Sequence, residues 1–370
     1  MTSLASSKIV IDARELNGTG TGTYLKHLLS DLQKIDDQHS YIVLLRSKDM
    51  DDWKPSNKRF TKVACRFKEF TFGEQLGLWR QLHKIKPDLV HFGMVQQPIG
   101  YQGKVVTTMN DLTTARFRNP AKNWLIFTIK QQVYKLVNYI VAHKSAHLIT
   151  YTEFVKDDVA RYANINSRKI TVTHLAADEI TDKPEEIPEL DGKDFIMYVG
   201  SSHPHKNLDR LVDAFILLRQ DNPQLRLVLA GKRNYLFKRL EKRVAQKGAG
   251  NVIFTGFVSE GQLRWLYEHT AAYVFPSLSE GFGLPGLEAM MHGAPVVSSS
   301  ATCLPEVYQD GALYFDPLDA NDMAEKINAV VNDEKLAHSL VQKGKKVAAS
   351  YSWQHTAEQT LAVYKEVLGE

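Results

Sequence analysis

Short runs of β-branched and other apolar residues recur along this chain, separated by stretches whose apolar residues follow helical spacing. That alternation restricts the fold more than any single motif does. KIVIDA (8–13) passes through the glycines of RELNGTGTGTY into LKHLLSDLQKI, which reads as strand, turn and amphipathic helix. YIVLL (41–45), DLVHF (88–92), KVVTTMN (104–110) and AHLITYT (146–152) repeat the strand pattern with helical stretches between them. Strands that alternate with helices pair in parallel, and the helices cover both faces of the sheet. The pattern stops at DEITDKPEEIPELDGK (178–193), which is rich in proline and acid and lacks apolar periodicity. It restarts with DFIMYVG (194–200), LRLVLAG (225–231), NVIFTGFV (251–258), AAYVFPS (271–277) and APVVSSS (294–300). The expectation is an α/β chain with one domain at 1–178, a linker at 179–193 and a second domain at 194–350. A last amphipathic helix within 351–370 has no strand after it and is expected to cross back to the first domain.

With 370 residues, 44% hydrophobic and 24% charged, the chain can bury two cores. No apolar run approaches the roughly 20 residues of a membrane-spanning helix. MTSLASSKIVIDAR has no secretory apolar core with a cleavage site, so a cytoplasmic location is expected. Cys65 and Cys303 stand far apart without CxxC spacing, which suggests neither a disulfide framework nor a zinc cage. The net charge of +4 is uneven, with 26 Lys and Arg against 16 Asp and Glu through Asp178 and an acidic remainder. A basic first half suits an anionic lipid, a phosphorylated acceptor or nucleic acid, and equally a solvated basic face.

The chemistry concentrates in AAYVFPSLSEGFGLPGLEAMMHGAPVV. An apolar strand ends at Pro276, a loop holds Gly281, Gly283 and Gly286, and a helix begins near Pro285. A loop off the carboxyl end of a parallel strand is where ligands of such sheets lie, and glycines let backbone N–H groups face an anion. Glu288 then reaches ribose hydroxyls, and Glu280 meets the far end of a ligand whose middle is a diphosphate. Carboxylates accept hydrogen bonds from sugar hydroxyls, so a nucleotide-sugar fits better than a nucleoside triphosphate. The same spacing also suits a helix cap and a surface glutamate.

YVGSSHPHKNLDRLVDAF, NVIFTGFVSEGQLRWLY and SEGFGLPGLEAMMHGAPVVSSSATCLPEV resemble, in that order, the matching segments of the family 4 glycosyltransferases. The resemblance covers nearly the whole chain. It implies the GT-B architecture of two Rossmann-like domains facing a central cleft, with the first domain taking the acceptor and the second the nucleotide-sugar. It also implies that Glu280 contacts the transferred sugar and Glu288 the ribose, and that backbone groups of Phe282, Gly283 and Leu284 lie against sugar and diphosphate. Lys206 would neutralise the leaving diphosphate. Ser201 and Ser202 stand where many relatives have Arg, a place that His203 or His205 would partly fill. Gly256 and Val258 would meet the base, and Gly20 and Gly22 would close over the donor phosphates, although a tight turn without a ligand explains those two glycines as well.

Relatives commonly read His-Asp after the strand KVVTTMN, where this chain has Asn110-Asp111. Asn donates and accepts hydrogen bonds but cannot act as a general base. In a retaining transferase the leaving phosphate takes the acceptor proton, so Asn110 would still position the sugar. The stretch 116–144 carries Arg116, Arg118, Lys122, Lys130, Lys135 and Lys144 and no acid, interleaved with Trp124, Phe127, Tyr134 and Tyr139. Such a helix suits an anionic membrane surface, or a core-facing apolar side. Asp49 to Asp51 formally match a metal-binding DxD but sit in a polar stretch that reads as a solvated turn, so no metal is expected. The glycines of NGTGTGTY are not GxGxxG, which argues against NAD.

Together these features predict a retaining hexosyltransferase with a nucleoside-diphosphate sugar as donor, GDP-mannose by preference, and no tightly bound cofactor. The acceptor would be a cell-envelope polysaccharide or glycolipid, with peripheral contact at the inner face of an anionic membrane and no nucleic acid partner. The alternatives are a nucleotide-sugar-binding protein without turnover and another GT-B enzyme such as a nucleotide-sugar epimerase.

Overall fold

The computed structural model describes residues 6–69, 71–118 and 124–370. The apolar runs of the first half become β1 (Lys8–Asp12), β2 (Ser40–Arg46), β3 (Phe60–Cys65), β4 (Leu89–Phe92), β5 (Val105–Thr108), β6 (His147–Thr150) and β7 (Ile170–Val172). All pair in parallel, in the order β3-β2-β1-β4-β5-β6-β7. Ile9 lies opposite both Tyr41 and Leu89, and Ile9, Val10 and Ile11 are fully buried, as expected of a central strand covered on both faces. The second half forms β8 (Phe195–Val199), β9 (Arg226–Ala230), β10 (Val252–Gly256), β11 (Ala272–Phe275), β12 (Val296–Ser299) and β13 (Ala312–Phe315). These are again parallel, ordered β10-β9-β8-β11-β12-β13.

In each sheet the first strand of its half lies between the second and fourth. The direction of strand succession therefore reverses at β1/β4 and at β8/β11. Neighbouring loops diverge there beyond the carboxyl ends of the strands, leaving room for a ligand. The sequence pattern does not announce β3, β7 or β13, and each is an edge strand. β3 carries Lys62 and is mostly half-exposed, while β7 has only 3 residues, so neither shows a continuous apolar run.

The chain divides into two compact units. The first takes residues up to Ala115, Ile129–Leu175 and Ser352–Glu370; the second takes Ala176–Tyr351 with a short piece that begins at Arg116. The helix Trp353–Leu368 thus belongs to the first unit. Ser352 caps it, and Trp353, Ala357, Thr360 and Tyr364 line its buried side. Trp353 stacks on His27 with ring centroids 4.3 Å apart. The Tyr364 hydroxyl lies 2.5 Å from His91 Nδ1, whose Nε2 is 2.9 Å from Thr108 Oγ1. Burial pushes His91 down to about 3, so the ring is neutral and serves as donor and acceptor at once.

Asp49 is not solvated as the sequence suggests. It is 4% exposed, and its Oδ1 accepts from the Asn17 amide at 3.1 Å while Asp52 accepts from the same amide at 2.6 Å. The acids of this turn hold the residue that opens the glycine-rich loop.

Candidate active site

The loops leaving β8 and β11 at the switch point of the second sheet are bonded to each other. Leu278 N donates to His205 O at 2.7 Å. Asn207, left-handed at φ 58, donates its amide to Pro276 O at 3.1 Å and Pro317 O at 2.8 Å. These bonds bring Lys206 Nζ to 2.6 Å from Glu280 Oε1, with the side chains 17% and 12% exposed. The ammonium also stands 5.4 Å from the Phe275 ring centroid, over its face. Glu280 is held at its backbone, where its N–H donates to Thr302 Oγ1 at 3.2 Å and its carbonyl accepts from Cys303 Sγ at 3.3 Å.

Gly283 adopts φ 96 immediately before the helix Leu284–Met291, which carries Pro285 in its first turn and no side-chain cap. The Tyr308 hydroxyl donates to Gly283 O at 2.5 Å, and a Cβ on either Gly283 or Gly286 would collide with Tyr308. These glycines therefore have a packing cause that the sequence did not reveal, because Tyr308 lies some twenty residues downstream. The Phe282 ring is buried edge-on to Tyr351 at 5.6 Å, so only its main chain is placed to meet a ligand. Leu284 opens the helix, half-buried. On the same helix Glu288 is half-buried with Tyr267 OH at 3.4 Å. Burial pushes its carboxyl up to about 7, opposed by that hydroxyl.

Around this pair, Ser201 accepts at its carbonyl from Tyr198 OH at 2.8 Å. Gly256 is left-handed at φ 77 and accepts from Gly231 N at 2.9 Å; Val258 is half-buried, and Phe257 between them is 84% exposed. His203 and His205 stack at 5.8 Å. Burial, then the charge of Lys206, pushes His205 down to about 4. At neutral pH it supplies a hydrogen bond but not the charge of the arginine whose place it was expected to fill.

The first unit assembles the other sequence-selected residues at the ends of β1 and β5. Asn110 Nδ2 donates to Thr21 Oγ1 at 3.0 Å, tying the loop after β5 to the glycine-rich turn, and Asn110 Oδ1 is buried without a hydrogen-bond partner. Asp111 accepts from Thr113 N at 2.7 Å, just ahead of the short helix Thr113–Arg116. A Cβ on Gly22 would press on Leu16 O at 2.5 Å, whereas Gly20 is exposed with nothing near its Cβ position. Gly22 is thus required by the turn, and Gly20 is not. Of the basic stretch, Lys122 lies outside the described residues, and Trp124 and Tyr139 are exposed while Phe127 is buried.

Residues 18–179 match the family model described as Glycosyltransferase Family 4, and residues 179–347 the one described as Glycosyl transferases group 1. The chain belongs to the family 4 glycosyltransferases. Within this family it is 32% identical over 231 residues to O-antigen chain mannosyltransferase B of Escherichia coli, covering 59% of this chain and 60% of that one. It is 31% identical over 227 residues to a serotype-specific mannosyltransferase, WbdA, of the same organism, covering 60% of this chain and 27% of the relative. The match therefore spans about three fifths of the first relative and a quarter of the second. A sucrose-phosphate synthase from Thermosynechococcus elongatus superposes with a TM-score of 0.74 at 18% identity, over 98% of this chain and 99% of that one. The fold of this chain is GT-B.

Proposed function

We propose that this chain moves a hexose from a nucleoside-diphosphate sugar, GDP-mannose by preference, to a hydroxyl of a cell-envelope polysaccharide or glycolipid, with retention at the anomeric carbon. The observation that carries the reading is the 2.6 Å pairing of Lys206 with Glu280 where the second sheet reverses its strand order. The start of the helix that bears Glu288 follows directly in the chain. A diphosphate at that helix start gains from the aligned N–H groups of Gly283 and Leu284 and from the Lys206 charge. Glu280 accepts from sugar hydroxyls and Glu288 from ribose hydroxyls, while Ser201 and His205 offer neutral hydrogen bonds and the main chain at Gly256 and Val258 meets the base.

In the reaction, the bond from the anomeric carbon to the phosphate oxygen breaks and the acceptor oxygen bonds to the same face. The acceptor proton passes to the departing phosphate oxygen. No side-chain base is needed, so the role left to Asn110, whose amide donates to Thr21, is to position the transferred sugar by hydrogen bonding. Lys206 supplies the positive charge at the leaving group that a divalent cation supplies elsewhere, and no metal is assigned. The mannose preference follows the two relatives named as mannosyltransferases. The acceptor is assigned to the basic first half, at the inner face of an anionic membrane.

The test is incubation with GDP-, UDP-, ADP- and dTDP-sugars, reading thermal stabilisation and donor hydrolysis, then transfer with retention read from the anomeric configuration of the product. Binding without turnover would leave a nucleotide-sugar-binding protein. A recovered isomer of the donor would make it an epimerase, and stabilisation by none of the panel would refute the reading.

A further inference from the structure

The helix Tyr235–Gln246 and its flanks run against the charge of their half of the chain. Residues 232–247 hold seven Lys and Arg against one acid, Glu241, whereas the chain after Asp178 is acidic. Three of these cations are answered: Arg233 by Glu241 at 3.0 Å, Arg243 by Asp209 at 2.8 Å, and Lys247 by Asp213. Arg239 is exposed and has no acid beside it among the described residues. It borders a cavity of about 350 Å³, together with Arg118, His203, Leu208, Leu236 and Leu240. Arg118 is likewise unpaired among the described residues, and the Phe117 ring before it packs on His205 at 5.9 Å. All of these residues belong to the second unit.

The cavity is separate from the side assigned to the donor ribose. It lies between the helices Leu208–Leu218 and Tyr235–Gln246, which follow β8 and β9 as the strands progress outward to β10. The helices Glu260–His269 and Leu284–Met291 belong to the return from β10 to β11 and the step on to β12, in the opposite direction. Right-handed crossovers that run in opposite directions place their helices on opposite faces of a sheet. The contact between Tyr267 and Glu288 therefore lies on one face and the cavity on the other, and the loop that carries Lys206 forms one wall of the cavity. Two guanidinium forks match the oxygens of a phosphate. The leucines give an apolar floor, as small-molecule sites commonly have, against which the carbon face of a sugar ring can lie. Asp209 also lines the cavity; already paired with Arg243, it accepts from hydroxyls and opposes an anion that has none to offer. We propose that this cavity binds a phosphorylated sugar, a ligand additional to the nucleotide-sugar. A part in transfer rests on the transferase reading; the binding itself does not.

Titration calorimetry of the full chain compares mannose 6-phosphate, mannose and inorganic phosphate. The sugar phosphate is expected to bind at least about 10-fold more tightly than either part alone, because it fills the forks and the floor together. Arg239→Gln and Arg118→Gln, at exposed positions that should leave the melting temperature intact, are each expected to weaken it about 10-fold. Lys238→Gln removes a neighbouring exposed charge that does not border the cavity, and Lys206→Ala removes the cation beside Glu280; both are expected to keep the affinity. Equal binding of mannose and mannose 6-phosphate, or wild-type affinity in both arginine variants, overturns the proposal. So does a loss in Lys238→Gln equal to that in Arg239→Gln, which would leave only a general positive field. A loss confined to Lys206→Ala would put the phosphate at the donor site and overturn it as well. Adding a nucleoside-diphosphate sugar then separates two uses of the same ligand. A glycosylated mannose 6-phosphate marks an acceptor, and a changed rate of donor turnover without that product marks an effector. Absence of donor turnover throughout refutes the transferase reading and leaves the binding result standing.

Discussion

Glu280→Gln should separate binding from turnover. Lys206 and Glu280 sit 2.6 Å apart, each less than one fifth exposed, so a diphosphate that recruits Lys206 must compete with this carboxylate. Two unit charges about 3 Å apart attract by roughly 5 kcal/mol at an effective dielectric constant near 20. Desolvation of both groups returns most of this, leaving about 1.5–3 kcal/mol, the range of a hydrogen bond to a charged group. Glutamine keeps the shape and removes the charge, so Lys206 is released, and nucleoside diphosphate affinity should rise by about 10-fold, the lower end of that range. Turnover should move the other way and fall by about 100-fold, because the contact to the transferred sugar loses its charge as charge develops at the reacting centre. The assay is calorimetric titration of GDP, repeated at high salt, beside the rate of transfer. Unchanged or weaker GDP affinity in Glu280→Gln would refute the competition, and unchanged turnover would remove Glu280 from the reaction.

Three further outcomes follow from the same geometry. Gly286→Ala places a methyl group into the Tyr308 ring and should lower stability by about 1–3 kcal/mol, read as a lower melting temperature. Glu288 has its folded pKa raised to about 7 by burial, so the folded state holds a proton that the unfolded chain has already released above its ordinary value of 4.5. Stability should therefore decline as pH rises from about 4.5 to 7 and level off above, and Glu288→Gln should flatten that slope in denaturant titrations at stepped pH. Chelation with EDTA should leave transfer unchanged if Lys206 supplies the charge at the leaving group; a loss restored by added Mg²⁺ or Mn²⁺ would assign that role to a metal.

Local pattern determined the α/β class and the central strands. Strands such as β1 and β8 are covered on both faces and must be apolar at nearly every position, which a linear reading detects. Edge strands carry no such demand: β3 passed unnoticed because half-exposed backbone tolerates Lys62, and β7 because it has only 3 residues, whereas the edge strand β10 was legible from its apolar run. The site residues were singled out by residue type and spacing, but spacing could not say that Lys206 and Glu280, 74 positions apart, share a hydrogen bond. That depends on Asn207 and Leu278 joining two loops at a reversal of strand order, and strand order is a property of the sheet rather than of any segment.

The same limit explains the remaining differences. Gly283 and Gly286 looked like a bare phosphate loop, yet Tyr308 also requires their lack of side chains, and only packing brings that ring to them. Asp49 looked solvated in a polar stretch until Asn17 reached it from another loop. His205 looked like a substitute cation, and burial leaves it neutral. Residue type and periodicity are written along the chain, so the sequence determined class, central strands and candidate chemistry. Burial, and the charge state and partners that follow from it, depend on which distant segments close over a group, and those only the tertiary structure decided.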